Sequence, residues 1–125
     1  MKIFLLILTL GLLMTACGSA EPENSYEMIT PEQAKQIMDS REDIVILDVR
    51  TQEEYGEKHI PGAVLLPLDD VEQKAHVVLP EKDQTILVYC RSGRRSKLAA
   101  EALVKQGYTN ILEFGGINDW PYEVE

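Results

Sequence analysis

The chain has 125 residues, 45% of them hydrophobic, which suits one domain with a real core. A formal net charge of −9, from 21 acidic and 12 basic side chains, excludes nucleic-acid binding through a basic surface. Two cysteines and no metal or nucleotide motif leave neither a metal nor a cofactor expected.

Met1 and Lys2 precede the apolar run Ile3–Met14, and Thr15, Ala16 and Cys17 follow. A basic start, a short apolar core and small residues predict a secretory signal over residues 1–16. The core is too short to span a bilayer, which takes about 20 residues. Small residues directly before a cysteine resemble a bacterial lipoprotein signal. That resemblance implies a lipid chain on Cys17 as the first residue of the mature protein, and so a membrane-anchored, extracytoplasmic location in the cell envelope. The alternatives are an ordinary signal cleaved near Ala16 or Ala20, or an uncleaved anchor. Removing residues 1–16 takes away Lys2 and leaves the remainder one charge more acidic. Residues 17–25, small, polar and acidic, predict a flexible linker to a domain over residues 26–125.

Tyr26 to Ile29 suits a short edge strand. Thr30 then predicts a helix N-cap, with Pro31 at the first helical position and Gln33 completing a capping box. Ala34, Ile37 and Met38 give that helix one apolar face. Ile44-Val45-Ile46-Leu47 is a continuous aliphatic run, as in a strand buried on both faces of a parallel sheet. It ends in Asp48-Val49-Arg50. Thr51 and Glu54 form a second capping box, opening a short helix through Tyr55. His59-Ile60-Pro61-Gly62-Ala63 reads as a turn and Val64-Leu65-Leu66 as another strand. Leu68-Asp69-Asp70 predicts a third helix with Asp at its cap and Val71, Ala75 and Val78 facing inward, ended by Pro80.

Thr85-Ile86-Leu87-Val88-Tyr89 is an apolar, β-branched run that predicts a buried strand. Cys90-Arg91-Ser92-Gly93-Arg94-Arg95-Ser96 follows as a tight loop, and Leu98, Ala99, Ala102 and Leu103 continue at helical spacing, giving a helix over Ser96–Gln106. Gly107 is its expected C-cap glycine. Asn110 to Phe114 is a last strand, and Gly115 to Trp120 a turn and closing helix anchored by Trp120. Alternating strands and helices imply βα units and an α/β fold: a mostly parallel sheet of about five strands with helices on both faces. Ligands in such sheets bind beyond the carboxyl ends of the strands, where both Cys90 and Asp48 fall.

A thiol at a strand end, before a helix N-terminus, sits among inward backbone N–H groups and partial positive charge. That field favours thiolate, as does neighbouring arginine. Arg91, Arg94 and Arg95 stand against the global sign of the chain. Positive charge in a first helical turn opposes the helix dipole, so an anionic ligand accounts for it better than a solvated helix start. The expected site is therefore a nucleophilic Cys90 in a small anion cradle. A Cys17–Cys90 disulfide is disfavoured, since Cys17 lies in a leader or tether. His76 has no motif around it.

Three stretches resemble the rhodanese family of single-domain sulfurtransferases: Leu47-Asp48-Val49-Arg50 with Glu54-Tyr55, His59-Ile60-Pro61-Gly62-Ala63, and the Cys90–Ser96 loop. Gly115-Gly116-Ile117 and Trp120 agree, and the likeness covers Tyr26 to Glu125. The resemblance implies a three-layer rhodanese-like fold and a persulfide mechanism, with Cys90 as nucleophile. Sulfur would pass from a small sulfur-containing anion such as thiosulfate to cyanide or a thiol. Arg91, Ser92, Gly93, Arg94, Arg95 and Ser96 would bind the anion; Asp48 and Arg50 would brace the loop; His59 would be structural. Dual-specificity phosphatases place an arginine six residues after the cysteine; here that position is Ser96, and Arg95 comes five after, which argues against a phosphatase- or arsenate reductase-like enzyme. A non-catalytic sulfur- or thiol-binding module is the alternative of a different class. A monomer is expected.

Overall fold

The computed structural model describes residues 25–125, so the leader, Cys17 and nearly all of the linker lie outside the described residues. Five strands form one sheet in the order β1 (Glu27–Met28), β5 (Ile111–Gly116), β4 (Thr85–Cys90), β2 (Ile44–Asp48), β3 (Val64–Leu65). Every strand pair is parallel. The expected α/β architecture is therefore present, with β4 at its centre.

The aliphatic strands account for the layers. In β4 successive side chains alternate between the two faces. Ile86, Val88 and Cys90 join Leu47, Val49 and Ile111 under α3 (Val71–Val78) and α4 (Arg94–Lys105). Leu87 and Tyr89 join Leu112, Phe114 and Trp120 on the opposite face, packed by Ala34, Ile37 and Met38 of α1 (Pro31–Ser40). All six residues of β4 are buried, as a strand covered on both sides requires.

Both capping boxes form. The Thr30 and Thr51 hydroxyls accept from the Gln33 and Glu54 backbone N–H groups, and the Gln33 and Glu54 side chains accept in return from the cap N–H groups of α1 and α2 (Gln52–Glu57). At the other end of α4, Gly107 takes φ 97° and the Tyr108 and Gly107 amides donate to Leu103 and Val104 carbonyls, closing a Schellman motif.

Two helix starts differ from expectation. Asp70 makes no side-chain cap bond: Pro67 leads into a 3-10 turn over Leu68–Asp70, which places Asp70 in helical backbone (φ −100°, ψ −6°) rather than the extended form a cap needs. Helix α4 begins at Arg94, two residues before the predicted Ser96, because Gly93 takes φ 103° and turns the chain directly into it.

The β4–β5 ladder contains one irregularity. Val88 faces Glu113, but Cys90 faces Gly116, so β5 holds one extra residue opposite the cysteine. Gly115, at φ 90°, absorbs it. This bulge turns the Gly115 amide onto the Glu113 carboxylate, 2.8 Å away, instead of into the ladder.

Candidate active site

Cys90 ends the central strand, and the loop after it folds back over the sulfur. The Gly93 N–H donates to Cys90 Sγ at 3.0 Å, and Sγ lies 3.3 Å from the Ser96 hydroxyl oxygen. The position of the loop is fixed from the end of β5 and the 3-10 turn after it (Ile117–Asp119): Asn118 N–H donates to the Arg91 carbonyl, and the Cα of Gly116 approaches so closely that a Cβ there would lie 2.0 Å from that carbonyl oxygen. Gly116 has ordinary strand backbone, φ −127°, so its need for glycine is one of space alone.

Burial pushes the Cys90 thiol up. The Ser96 hydroxyl and the backbone N–H groups of Ser96, Gly93 and Ser92 outweigh that and hold it below the usual thiol range. The residue is fully buried, at 0% exposure, so the sulfur lies beneath the loop rather than on it.

The arginines divide. Arg91 and Arg94 are exposed on the loop and first turn. Arg95, expected at the anion, is instead held by both oxygens of Glu54 at 2.6 and 2.9 Å. That fork-to-fork pair brings Glu54 down to about 2, first through the Arg95 hydrogen bonds and, more weakly, through the Thr51 amide. Glu54 thus serves both as capping-box acceptor and as the partner of the loop. Ser92 is exposed at the loop tip, and Gly93 and Ser96 are buried under it.

Asp48 and Arg50 lie on the neighbouring strand end and form a buried bidentate ion pair, with Arg50 Nη2 2.7 Å from Asp48 Oδ2. Tyr89 O–H donates to the same carboxylate at 2.7 Å and accepts from the Ile60 N–H, while Arg50 also donates to the Lys58 carbonyl. Burial, followed by the bond to Asp48, keeps the Tyr89 phenol protonated far above its ordinary range. This network ties the β2 end, the β4 end and the 58–60 turn together, and none of its hydrogen bonds is to residues 91–96 of the loop that Asp48 and Arg50 were expected to brace.

His59 is part of the scaffold: its ring stacks on Tyr55 at 3.8 Å, its Nδ1–H donates to the Tyr55 carbonyl, and Nε2 meets Glu125. His76 is exposed on α3. The sequence alone does not mark Glu113 as part of the site. It is 2% exposed and accepts from the Ser96 hydroxyl at 2.7 Å. Its signal was a lone charge in the apolar run Ile111-Leu112-Glu113-Phe114.

Between the Arg50 pair and the loop is a cleft of about 210 Å³, lined among others by Arg50, Glu54, Lys58, Arg91 and Asn118. A larger cavity of about 780 Å³ is lined by Met38, Ile46, Ile60, Trp120 and Tyr122 and includes none of the Cys90 loop. Among the described residues, no three His, Cys, Asp or Glu side chains gather as a metal set. What the geometry offers is a sulfur nucleophile held by amides, with positive charge at the rim.

The comparisons with known proteins agree with that chemistry. A family model described as a rhodanese-like domain matches residues 30–122. The chain is 44% identical over 108 residues to YrkF of Bacillus subtilis, named as a candidate sulfur carrier protein; the match covers 86% of this chain and 57% of YrkF, little over half of that relative's length. It is 40% identical over 73 residues to the thiosulfate sulfurtransferase PspE of Escherichia coli, covering 58% of this chain and 70% of PspE. A solved structure described as a rhodanese with anions from E. coli superimposes at a TM-score of 0.62 with 35% identity, covering 66% of this chain and 96% of that one. The Alr3790 protein of Anabaena sp. superimposes at 0.72 with 27% identity, covering 78% and 90%.

Proposed function

The chain belongs to the rhodanese-like domain family, and on that premise we propose that it is a sulfurtransferase working through a persulfide on Cys90. The observation that carries the proposal is the set of donors converging on one buried sulfur, the Gly93 amide at 3.0 Å foremost. The Cys90 thiolate attacks the outer sulfur of a donor such as thiosulfate. A new S–S bond forms at Sγ, the donor's S–S bond breaks, and sulfite leaves with the electron pair. Cyanide or a thiolate then attacks the outer sulfur of the persulfide, and the pair returns to Sγ. This is ping-pong nucleophilic catalysis. The loop amides that hold the thiolate also suit the persulfide anion. Exposed Arg91 and Arg94 supply the charge that draws a dianion to the rim, while Arg95, through Glu54, holds the loop in place.

The test is thiocyanate formation from thiosulfate and cyanide. Wild type should turn over and Cys90→Ser should not, with an unchanged fold by circular dichroism. Thiocyanate formation by Cys90→Ser at the wild-type rate would overturn the assignment. The name of YrkF favours a second reading, in which the persulfide is cargo handed to a protein thiol. Wild type would then load sulfur from thiosulfate but discharge to cyanide only slowly.

The leader belongs to the same proposal as an address: a lipid on Cys17 would tether the domain outside the cytoplasmic membrane as a monomer. It is supported by the order Thr15-Ala16-Cys17 after a short apolar run. Labelling with radioactive palmitate should mark wild type and leave Cys17→Ala unlabelled.

A further inference from the structure

The cavity of about 780 Å³ has no part in the sulfur chemistry above, and it shares no lining residue with the cleft beside the Cys90 loop. It exists because one face of the sheet is incompletely covered. All six residues of β4 are buried, but Ile44 and Ile46 of β2, which pack on the α1 side, are only half-buried. Helix α2 is six residues long and buries none of them, so it adds no cover. Ile46 is left as a cavity floor, with Met38 of α1 and Ile60 of the 59–63 turn beside it.

Residues 120–125 supply the remaining wall. Trp120 packs on Phe114 with ring centroids 5.5 Å apart, and its indole N–H donates to the Glu123 carbonyl at 3.2 Å. Glu125 and His59 exchange two backbone hydrogen bonds of 2.8 Å. The strap is thus pinned at both ends. Between them Tyr122 stands edge-on to Trp120, with centroids 5.0 Å apart. A volume of this size lies within the range of small-molecule sites, about 300–1,000 Å³. Met38, Ile46 and Ile60 suit an apolar body, and the methionine adapts to its shape.

The rim selects the head group. Its charged residues are Lys35, Asp39 and Glu123. Lys35 is held by Asp39 at 2.5 Å, which cancels one charge of each sign. Among the described residues Glu123 has no ion-pair partner. One uncompensated negative charge therefore lies beside two aromatic rings. Such rings attract a cation within about 6 Å of the centroid. The Lys35 ammonium already occupies such a place, 5.7 Å from the centroid of Tyr122. An anionic head group would be repelled by Glu123, and a neutral one would gain nothing from it.

We propose that this cavity binds an organic cation, a compact apolar body carrying an ammonium group. The body rests on Met38, Ile46 and Ile60, and the ammonium is held by Glu123 and the rings of Tyr122 and Trp120. Such a ligand touches no residue of the Cys90 loop, so its binding stands or falls apart from sulfur transfer.

Trp120 is the only tryptophan of the chain, so its fluorescence reports on the cavity directly. Phenethylammonium, phenethyl alcohol and 3-phenylpropionate share one body and differ in charge. Each is titrated into the wild-type protein at neutral pH and constant ionic strength. The cation should half-saturate the signal at a concentration about tenfold below the other two. Glu123 is exposed, so Glu123→Gln leaves the core alone; it should weaken the cation roughly threefold and leave the alcohol unchanged. Equal binding of cation and alcohol by wild type, tighter binding of the carboxylate, or no tryptophan response would overturn the proposal without any variant. A cation curve unmoved by Glu123→Gln would overturn it as well. A wild-type spectrum that shifts on dilution alone would assign the cavity to a second copy of the chain, and a stronger response to a decaproline peptide would assign it to a proline-rich segment. Either result overturns the organic cation.

Discussion

Replacing Gly116 by alanine should disable the site while leaving most of the fold in place. The new Cβ would stand 2.0 Å from the Arg91 carbonyl oxygen, 2.3 Å from its carbon and 2.5 Å from the Ser92 nitrogen, where ordinary contact begins at 3.4 Å. All three atoms are backbone of the loop over Cys90, so no flexible side chain can yield. The loop has to retreat by roughly an ångström or more, and displacements of about that size around a reacting atom cost on the order of a hundredfold in rate. It would carry the Ser92 and Gly93 amides away from the sulfur, so the thiol should rise toward ordinary cysteine. Gly56 supplies the control. A Cβ there meets nothing within 4 Å, in an exposed helix, so Gly56→Ala should keep full activity and gain about 0.5–1 kcal/mol. The assay is kcat/KM for thiocyanate formation, read beside Tm for both variants. Full activity in Gly116→Ala with unchanged Tm would refute the claim that contact with β5 positions the loop.

Arg50→Ala should destabilise the domain by about 3–5 kcal/mol, because it strands a buried carboxylate at Asp48; urea unfolding reads it. The Glu54–Arg95 pair has a carboxylate depressed from 4.5 to about 2, so its contribution is present above about pH 4.5 and is lost as pH falls toward 2. The difference in urea midpoint between wild type and Glu54→Gln should shrink across that window, from a contribution of about 1 kcal/mol given the pair's partial exposure. Since Cys90 is fully buried, methyl methanethiosulfonate should modify it at least about tenfold faster than a bulky aromatic disulfide; equal rates would place the sulfur in the open.

Much of this was legible in the chain because the determinants are local. Thr30 with Gln33, and Thr51 with Glu54, announce helix starts within four residues. Cys90 declares itself by lying between an aliphatic strand and a helical repeat. The start of α4 was hidden because its first turn, Arg94-Arg95-Ser96, has no apolar residue to begin the periodicity. Asp70 is ambiguous in the sequence because acidic residues after Pro67 suit a cap and a 3-10 turn equally well. Two features of the site depend on contacts no local pattern encodes. The Arg95–Glu54 pair joins residues 41 positions apart, and the closeness of Gly116 to Arg91 appears only once β5 lies beside β4. Glu113 lies between these cases. Its charge in an apolar strand is visible, but its meeting with Ser96 depends on the β4–β5 register and the bulge at Gly115.

Sulfur loading is the most direct test of the whole account. Intact mass of the reduced protein after thiosulfate should show one added sulfur atom on Cys90, and cyanide should remove it with release of thiocyanate. A mass unchanged by thiosulfate, with Cys90 free and the fold intact, would contradict the proposal that this buried, amide-held thiolate carries sulfur.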